Sequence, residues 1–152
     1  MCQTIDMADG RRTAPEELGV LIKETQAILH QRMDEVLRPL GLSVPQYACL
    51  EALADTPGIT SSELARRAFV SRQSMNVLLQ GLEKHGLIER SEEPGPRRER
   101  ATALTASAAG LLDRARTEVS GVVEVMTGGL TAPEIRRLQV LLGSCRDALL
   151  AP

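Results

Sequence analysis

Between Thr60 and Thr105 the apolar residues change their spacing twice, and few folds accept that change. The stretch reads TSSELARRAFVSRQSMNVLLQGLEKHGLIERSEEPGPRRERATALT. Leu64, Ala65 and Ala68 make the buried side of a helix of about two turns, capped by Thr60 with Glu63 three residues on. Phe69 and Val70 fill a tight turn. Ser71 then caps a second helix running to about Lys84, in which Met75, Leu78, Leu79 and Leu82 recur at i, i+3, i+4 and i+7 and must face a core. Gly86 ends it. From Leu87 to Ser91 the period shifts towards two, the signature of a strand. Pro94, Gly95 and Pro96 mark a loop, and Glu99 to Leu104 reads as the return strand. Two short helices, a turn and an arginine-tipped hairpin make a winged helix-turn-helix. The expected class is mainly α with a small β-hairpin wing.

The face of the second helix opposite its apolar stripe carries Arg72, Gln73, Asn76, Val77 and Gln80, with no acid before Glu83. Arginine pairs with guanine, and asparagine or glutamine with adenine, through two hydrogen bonds to one base edge. An ordinary solvated face would mix Glu and Lys. Arg72, Gln73, Asn76 and Gln80 are therefore candidate readers of double-stranded DNA. Ser71 and Ser74 are candidates for phosphate contact as much as for capping. Arg66 and Arg67, at the end of the preceding helix, are candidate phosphate ligands. Arg97, Arg98 and Arg100 lie in or beside the wing loop, where a narrow A·T minor groove attracts arginine.

Charge supports this placement. The chain of 152 residues has a formal net charge of -2 and a pI near 5.7. The segment from Arg66 to Arg100 holds eight basic and five acidic residues, leaving five net negative charges elsewhere. A chain with one Tyr, one Phe and no Trp cannot build a stacking platform for single-stranded nucleic acid, and its core must be aliphatic.

Long amphipathic helices flank the lobe. Residues 1–14 are polar and aperiodic, a flexible tail. Residues 15–42 carry a helical stripe from Leu18 to Leu37, starting near Thr13 with Pro15 in its first turn. Residues 43–105 form the winged lobe, opened by Ser43 and Gln46 as a capping box. Residues 106–152 hold two further helices. The first, capped by Thr105 or Ser107, has its stripe from Ala108 to Met126. The second opens with Thr131 and Glu134 as another capping box and carries Ile135, Leu138, Leu141, Leu142, Cys145 and Leu149. One winged lobe is too small to cover all three stripes. The simplest partner is a second copy of the chain, so residues 15–42 and 106–152 are expected to be dimerisation helices of a homodimer.

No stretch approaches the ~18 apolar residues of a membrane span, and no leader pattern is visible. Three scattered cysteines, Cys2, Cys49 and Cys145, without a CxxC or Cys/His cluster, give no metal site and fit a reduced, cytoplasmic protein. No phosphate loop, nucleophile elbow or histidine-rich motif suggests an enzyme, and no cofactor is expected.

VPQYACLEAL, the segment TSSELARRAFVSRQSMNVLLQGLEKHGLIER and the wing end RRERATALT resemble the MarR family of bacterial transcription regulators, over about Leu18 to Leu149. The resemblance implies an obligate dimer on a palindromic operator, recognition helices in successive major grooves and wings along the minor grooves. It implies that Arg98 enters the minor groove. The family's wing carries an Asp two residues before that arginine, and here Pro96 stands in its place. It also implies a small aromatic ligand between the dimerisation helices and the lobe, which makes Gln26, His30 and Tyr47 candidate ligand contacts. His85, ending the recognition helix, reads as a partner of the helix dipole. Two other readings stay open. One is a winged-helix dimer that binds protein. The other is a regulator sensing oxidants through cysteine, as some relatives do with a cysteine early in the first long helix, a position that holds none here.

Overall fold

The computed structural model describes residues 12–91 and 101–152. In chain order it contains α1 (Ala14–Leu37), a 3-10 turn (Arg38–Leu40), α2 (Val44–Asp55), α3 (Ser61–Ala68), α4 (Arg72–Lys84), β1 (Ile88–Arg90), β2 (Thr102–Leu104), α5 (Ala106–Thr127) and α6 (Ala132–Leu150). The expected mainly α fold with a two-stranded wing base is what forms.

Caps set the helix starts. Ser43 and Gln46 close the expected box: the Ser43 hydroxyl accepts the Gln46 amide at 3.2 Å and the Gln46 carbonyl accepts the Ser43 amide at 2.9 Å. Thr13 and Glu16 form a further box at the start of α1. The amide and hydroxyl of Thr13 both donate to the Glu16 carboxylate, which holds its pKa below the ordinary glutamate value. At Thr60 and Thr131 only half of the expected box is made. Each threonine accepts the amide three residues on, but Glu63 and Glu134 take the threonine hydroxyl and not its amide. Thr60 also forms an isolated antiparallel β-bridge with Ala101. Of the two caps open for α5, Thr105 is the one used.

The core sits where α2, α4, β1 and α5 meet. Leu50, Leu53, Leu79, Leu82, Ile88 and Leu112 are all buried there, with Leu37 from the end of α1. Nearly all of its large side chains are aliphatic, as the composition requires. β1 and β2 pair antiparallel, Ile88 opposite Leu104 and Arg90 opposite Thr102. Ala68, expected on the buried side of α3, is exposed, because α3 is already turning out of the lobe at its last residue.

α1 packs along α5, but its first turns do not reach the lobe. Leu18, Leu21, Ile22 and Ile28 stay exposed, as do Leu138, Leu141, Leu142 and Leu149 of α6. Among the described residues α6 buries no side chain at all.

Thr105 joins three elements. Its hydroxyl donates to the Gly86 carbonyl at 2.8 Å and accepts the Ala108 amide at 3.3 Å, while its own amide donates to the Leu87 carbonyl at 3.1 Å. Thr105→Val removes the cap and leaves the Gly86 carbonyl to the weaker Ser107 hydroxyl and water. It should lower unfolding stability in urea by about 1–2 kcal/mol, with Thr105→Ser close to wild type. Equal losses in the two variants would refute this role for the hydroxyl.

Candidate nucleic-acid interface and ligand cleft

The turn between α3 and α4 fixes how α4 is presented. Phe69 ends α3 in the left-handed region, φ 55, and the Val70 amide reaches back to the Ala65 carbonyl at 3.1 Å. Glycine usually takes this position. Phe69 is 74% exposed, so no packing of its ring compensates within the chain. α4 then starts at Ser71, whose hydroxyl accepts the Ser74 amide at 3.1 Å and donates to the Ser74 hydroxyl at 2.9 Å. Both serines thus serve the cap, and both remain exposed. At the other end His85 Nδ1 donates to the Gly81 carbonyl at 2.7 Å, the C-terminal role expected of it, and Gly86 reverses the chain with φ 71.

Met75, Leu79 and Leu82 bury one side of α4, and Leu78 is half-buried. The other side presents Arg72, Gln73, Asn76, Val77 and Gln80, all exposed. Among the described residues none of these polar side chains has a hydrogen-bond or ion-pair partner, so their donors and acceptors are free for an external edge. Arg66 is likewise exposed. Arg67 is not free: its Nη1 donates to the Thr56 hydroxyl at 3.0 Å and lies 3.9 Å from the Asp55 carboxylate, tying α3 to the end of α2. Arg97, Arg98 and Arg100, with Pro96, lie outside the described residues.

A cleft of about 620 Å³ opens between α1 and α5. Ile28, Leu29 and Val36 line one side and Val122, Val125 and Met126 the other, with Thr25, Arg32, Glu35 and Glu118 as its polar groups. None of the sequence candidates for ligand contact is in this lining. Gln26 and His30 are exposed on α1. Tyr47 is half-buried beside Glu51, and its phenol is pushed above the ordinary tyrosine value, first by burial and then by the Glu51 charge. Glu51 in turn receives Arg116 of α5 in a two-pronged pair, Nε to Oε1 at 2.6 Å and Nη2 to Oε2 at 3.2 Å. These three residues bind α2 to α5 just below the cleft.

The comparisons agree with this geometry. The MarR family model matches residues 40–99. The HTH-type transcriptional repressor Rv2887 of Mycobacterium tuberculosis is 36% identical over 125 residues, which are 82% of this chain and 90% of that protein. The chain belongs to the MarR family. A crystal structure of Rv2887 in complex with DNA superposes with a TM-score of 0.68 at 34% identity, covering 84% of this chain and 96% of that one. Another, in complex with salicylic acid, gives 0.68 at 34%, covering 91% and 99%. A mutant of Escherichia coli MarR complexed with operator DNA gives 0.77 at 26%, covering 85% and 93%. As a MarR-family member the protein is a winged-helix transcription regulator.

Arg90 is a residue that sequence reasoning placed wrongly in emphasis. It is one of the eight basic residues of the Arg66–Arg100 segment, yet its side chain is only 13% exposed. Its Nε lies 3.4 Å from the Glu83 carboxylate, and Nε and Nη2 are buried without a hydrogen bond. The signal was present: Arg90 follows Ile88 at the strand period, so it shares the core-facing side. Arg116 and Glu51 left no such signal, being far apart in sequence.

Cys49 lies in the same neighbourhood. Burial pushes its thiol up to about 11, and the nearby Arg90 charge only partly opposes this. Cys145 is exposed on α6. A protonated, buried thiol is a poor nucleophile, so Cys49 should react with a disulfide reagent only once the protein unfolds. The folded-state pKa is the raised one. Its contribution to stability is therefore complete below the ordinary thiol range and is lost as pH rises towards about 11. Urea titrations should show wild type losing on the order of 2 kcal/mol more than Cys49→Ala across that window. Parallel curves for the two proteins would contradict the burial argument.

Proposed function

We propose that the protein is a ligand-responsive repressor that binds a palindromic operator as a homodimer, reading each half-site with the exposed face of α4. The observation that carries this reading is that face itself. Arg72, Gln73, Asn76 and Gln80 project from a helix locked at both ends, unpaired and without a competing acid. A helix fits the major groove, and these are the side chains that pair with base edges there. Ser71, Ser74 and Arg66 flank the face and would take phosphates, with Arg67 joining them only by giving up Thr56. Arg97, Arg98 and Arg100 of the wing are assigned to the backbone and minor groove.

The second copy is argued from the uncovered apolar rows of α1 and α6, which would close on one another and hold two α4 helices about one DNA turn, roughly 34 Å, apart. The cleft between α1 and α5 would receive a small aromatic acid: its walls are aliphatic, and Arg32 at its rim, 3.6 Å from Glu35 in the free protein, would turn its cation to the ligand carboxylate. Salicylic acid is found with the relative Rv2887. A ligand there acts on α4 only through a different affinity for two arrangements of the dimer.

Fluorescence anisotropy with duplexes from the gene's upstream region tests the reading. Binding should be sequence-selective and weaken steeply between low and physiological salt. Gln73→Ala and Asn76→Ala should flatten base preference by about 1–3 kcal/mol per lost contact. Arg98→Ala should weaken all sequences alike. A dimer that shows no salt-sensitive, selective binding to any duplex would instead be a protein-interaction module. Separately, salicylate should lower operator affinity in wild type and do so far less in Arg32→Leu. An unchanged response would remove Arg32 from the ligand site.

A further inference from the structure

Val77 is the large apolar side chain on the otherwise polar outer face of α4, and it is 64% exposed. Single exposed apolar residues are common and by themselves mean little. The position of this one is what matters. At ~100° per residue, Val77 projects within roughly 20° of the direction opposite the Met75, Leu79 and Leu82 stripe. It therefore stands at the centre of the face, one turn beyond Gln73 and beside Asn76 and Gln80. A valine gains nothing there in the free protein, since it touches no core and is a weaker helix former than Ala, Gln or Lys.

We infer that Val77 is a specificity-determining residue that packs on the 5-methyl group of a thymine in each half-site. This rests on the operator-binding reading above. The major-groove edges of the four base pairs consist of hydrogen-bonding atoms with one exception, the thymine methyl. A side chain at the centre of the interface must meet some base edge. Against guanine or cytosine, Val77 would take water from O6, N7 or N4 and give no hydrogen bond in return, a penalty that rejects those pairs. Against thymine it buries a methyl group on its own two methyls. The amides of Gln73 and Asn76 beside it favour adenine, so the half-site should be rich in A·T pairs there, with the thymine fixed by Val77.

The test begins by selecting duplexes from a random library with the full-length protein. Each thymine of the selected half-site is then replaced singly by deoxyuridine, which removes the methyl group and alters no hydrogen bond. One position should cost wild type about fourfold in affinity, the effect of burying one carbon fewer, and about sixteenfold when replaced in both half-sites. Val77→Ala should bind the thymine duplex about as weakly as wild type binds the deoxyuridine one, and should be indifferent to the replacement. Val77→Thr, which keeps one methyl, should retain part of the discrimination. Because Val77 is exposed, these variants should unfold like wild type, and their urea midpoints check that. Selective binding with no deoxyuridine-sensitive position, or a sensitive position unchanged in Val77→Ala, overturns the inference while leaving operator binding intact. Enrichment of no sequence overturns both.

Discussion

The burial of one side of α4 determines most of what this molecule can do. Met75, Leu79 and Leu82 are almost wholly removed from water, and removing any one of them would cost several kcal/mol, since large aliphatic-to-alanine changes in cores run at about 2–5 kcal/mol. A helix anchored along one stripe cannot rotate about its axis without exposing that stripe. The opposite face is therefore held in a single orientation, with Gln73 and Val77 at its centre. The caps act on the same degree of freedom from the ends: Ser71 and Ser74 at the start, His85 and Gly86 at the finish. Base readout needs side chains placed to within a fraction of an ångström, and a helix fixed in rotation and at both ends meets that need before DNA arrives.

Much of this was legible in the sequence, because it is local. Helix periods, serine and threonine caps, prolines in first turns and the glycine after α4 are short-range signals, and they locate α1 to α6 to within a residue or two. Failures occurred where the deciding neighbour was distant. Ala68 looked buried because its period matched, but α3 leaves the core at its end. Arg67 looked like a free cation and is held by Thr56 and Asp55. The ligand candidates Gln26 and His30, implied by the family resemblance, lie outside the lining of the cleft, which is bounded by the residues of α1 that face α5. Which those are depends on how the two helices cross, and a periodic stripe on each does not state a crossing.

The uncovered rows on α1 and α6 show the same division between local and distant. Their periodicity was plain in the sequence, and the chain indeed leaves them without a cover of its own. Leu138, Leu141 and Leu142, each a little under half exposed, would each gain about 1 kcal/mol on full burial, which in sum is large beside the marginal stability of a domain this size. A helix such as α6, with no buried side chain, would hardly persist alone in water. Its regular capping by Thr131 and its apolar row make sense together only if something apolar lies against it, and the mutual fit of two equal rows makes a second copy the economical answer.

How a ligand between α1 and α5 could reach α4 is a question of magnitude. Lowering operator affinity a hundredfold requires about 2.7 kcal/mol of difference between the two arrangements. A polar link between α5 and the lobe is the Glu51–Arg116 pair with Tyr47 beside it. That pair is well exposed, and exposed ion pairs are screened by water and salt and fall short of such a figure. It can hold α2 in register with α5, so that the two move together, but it cannot supply the energy. The larger reservoir is apolar. Val122, Val125 and Met126 face Ile28 and Leu29 across the cleft, and a ligand that separates or joins these walls would change many apolar contacts by a small amount each. Under the proposed ligand binding, repacking of these aliphatic side chains would drive the change, and the polar clamp would carry it through α2 towards α4.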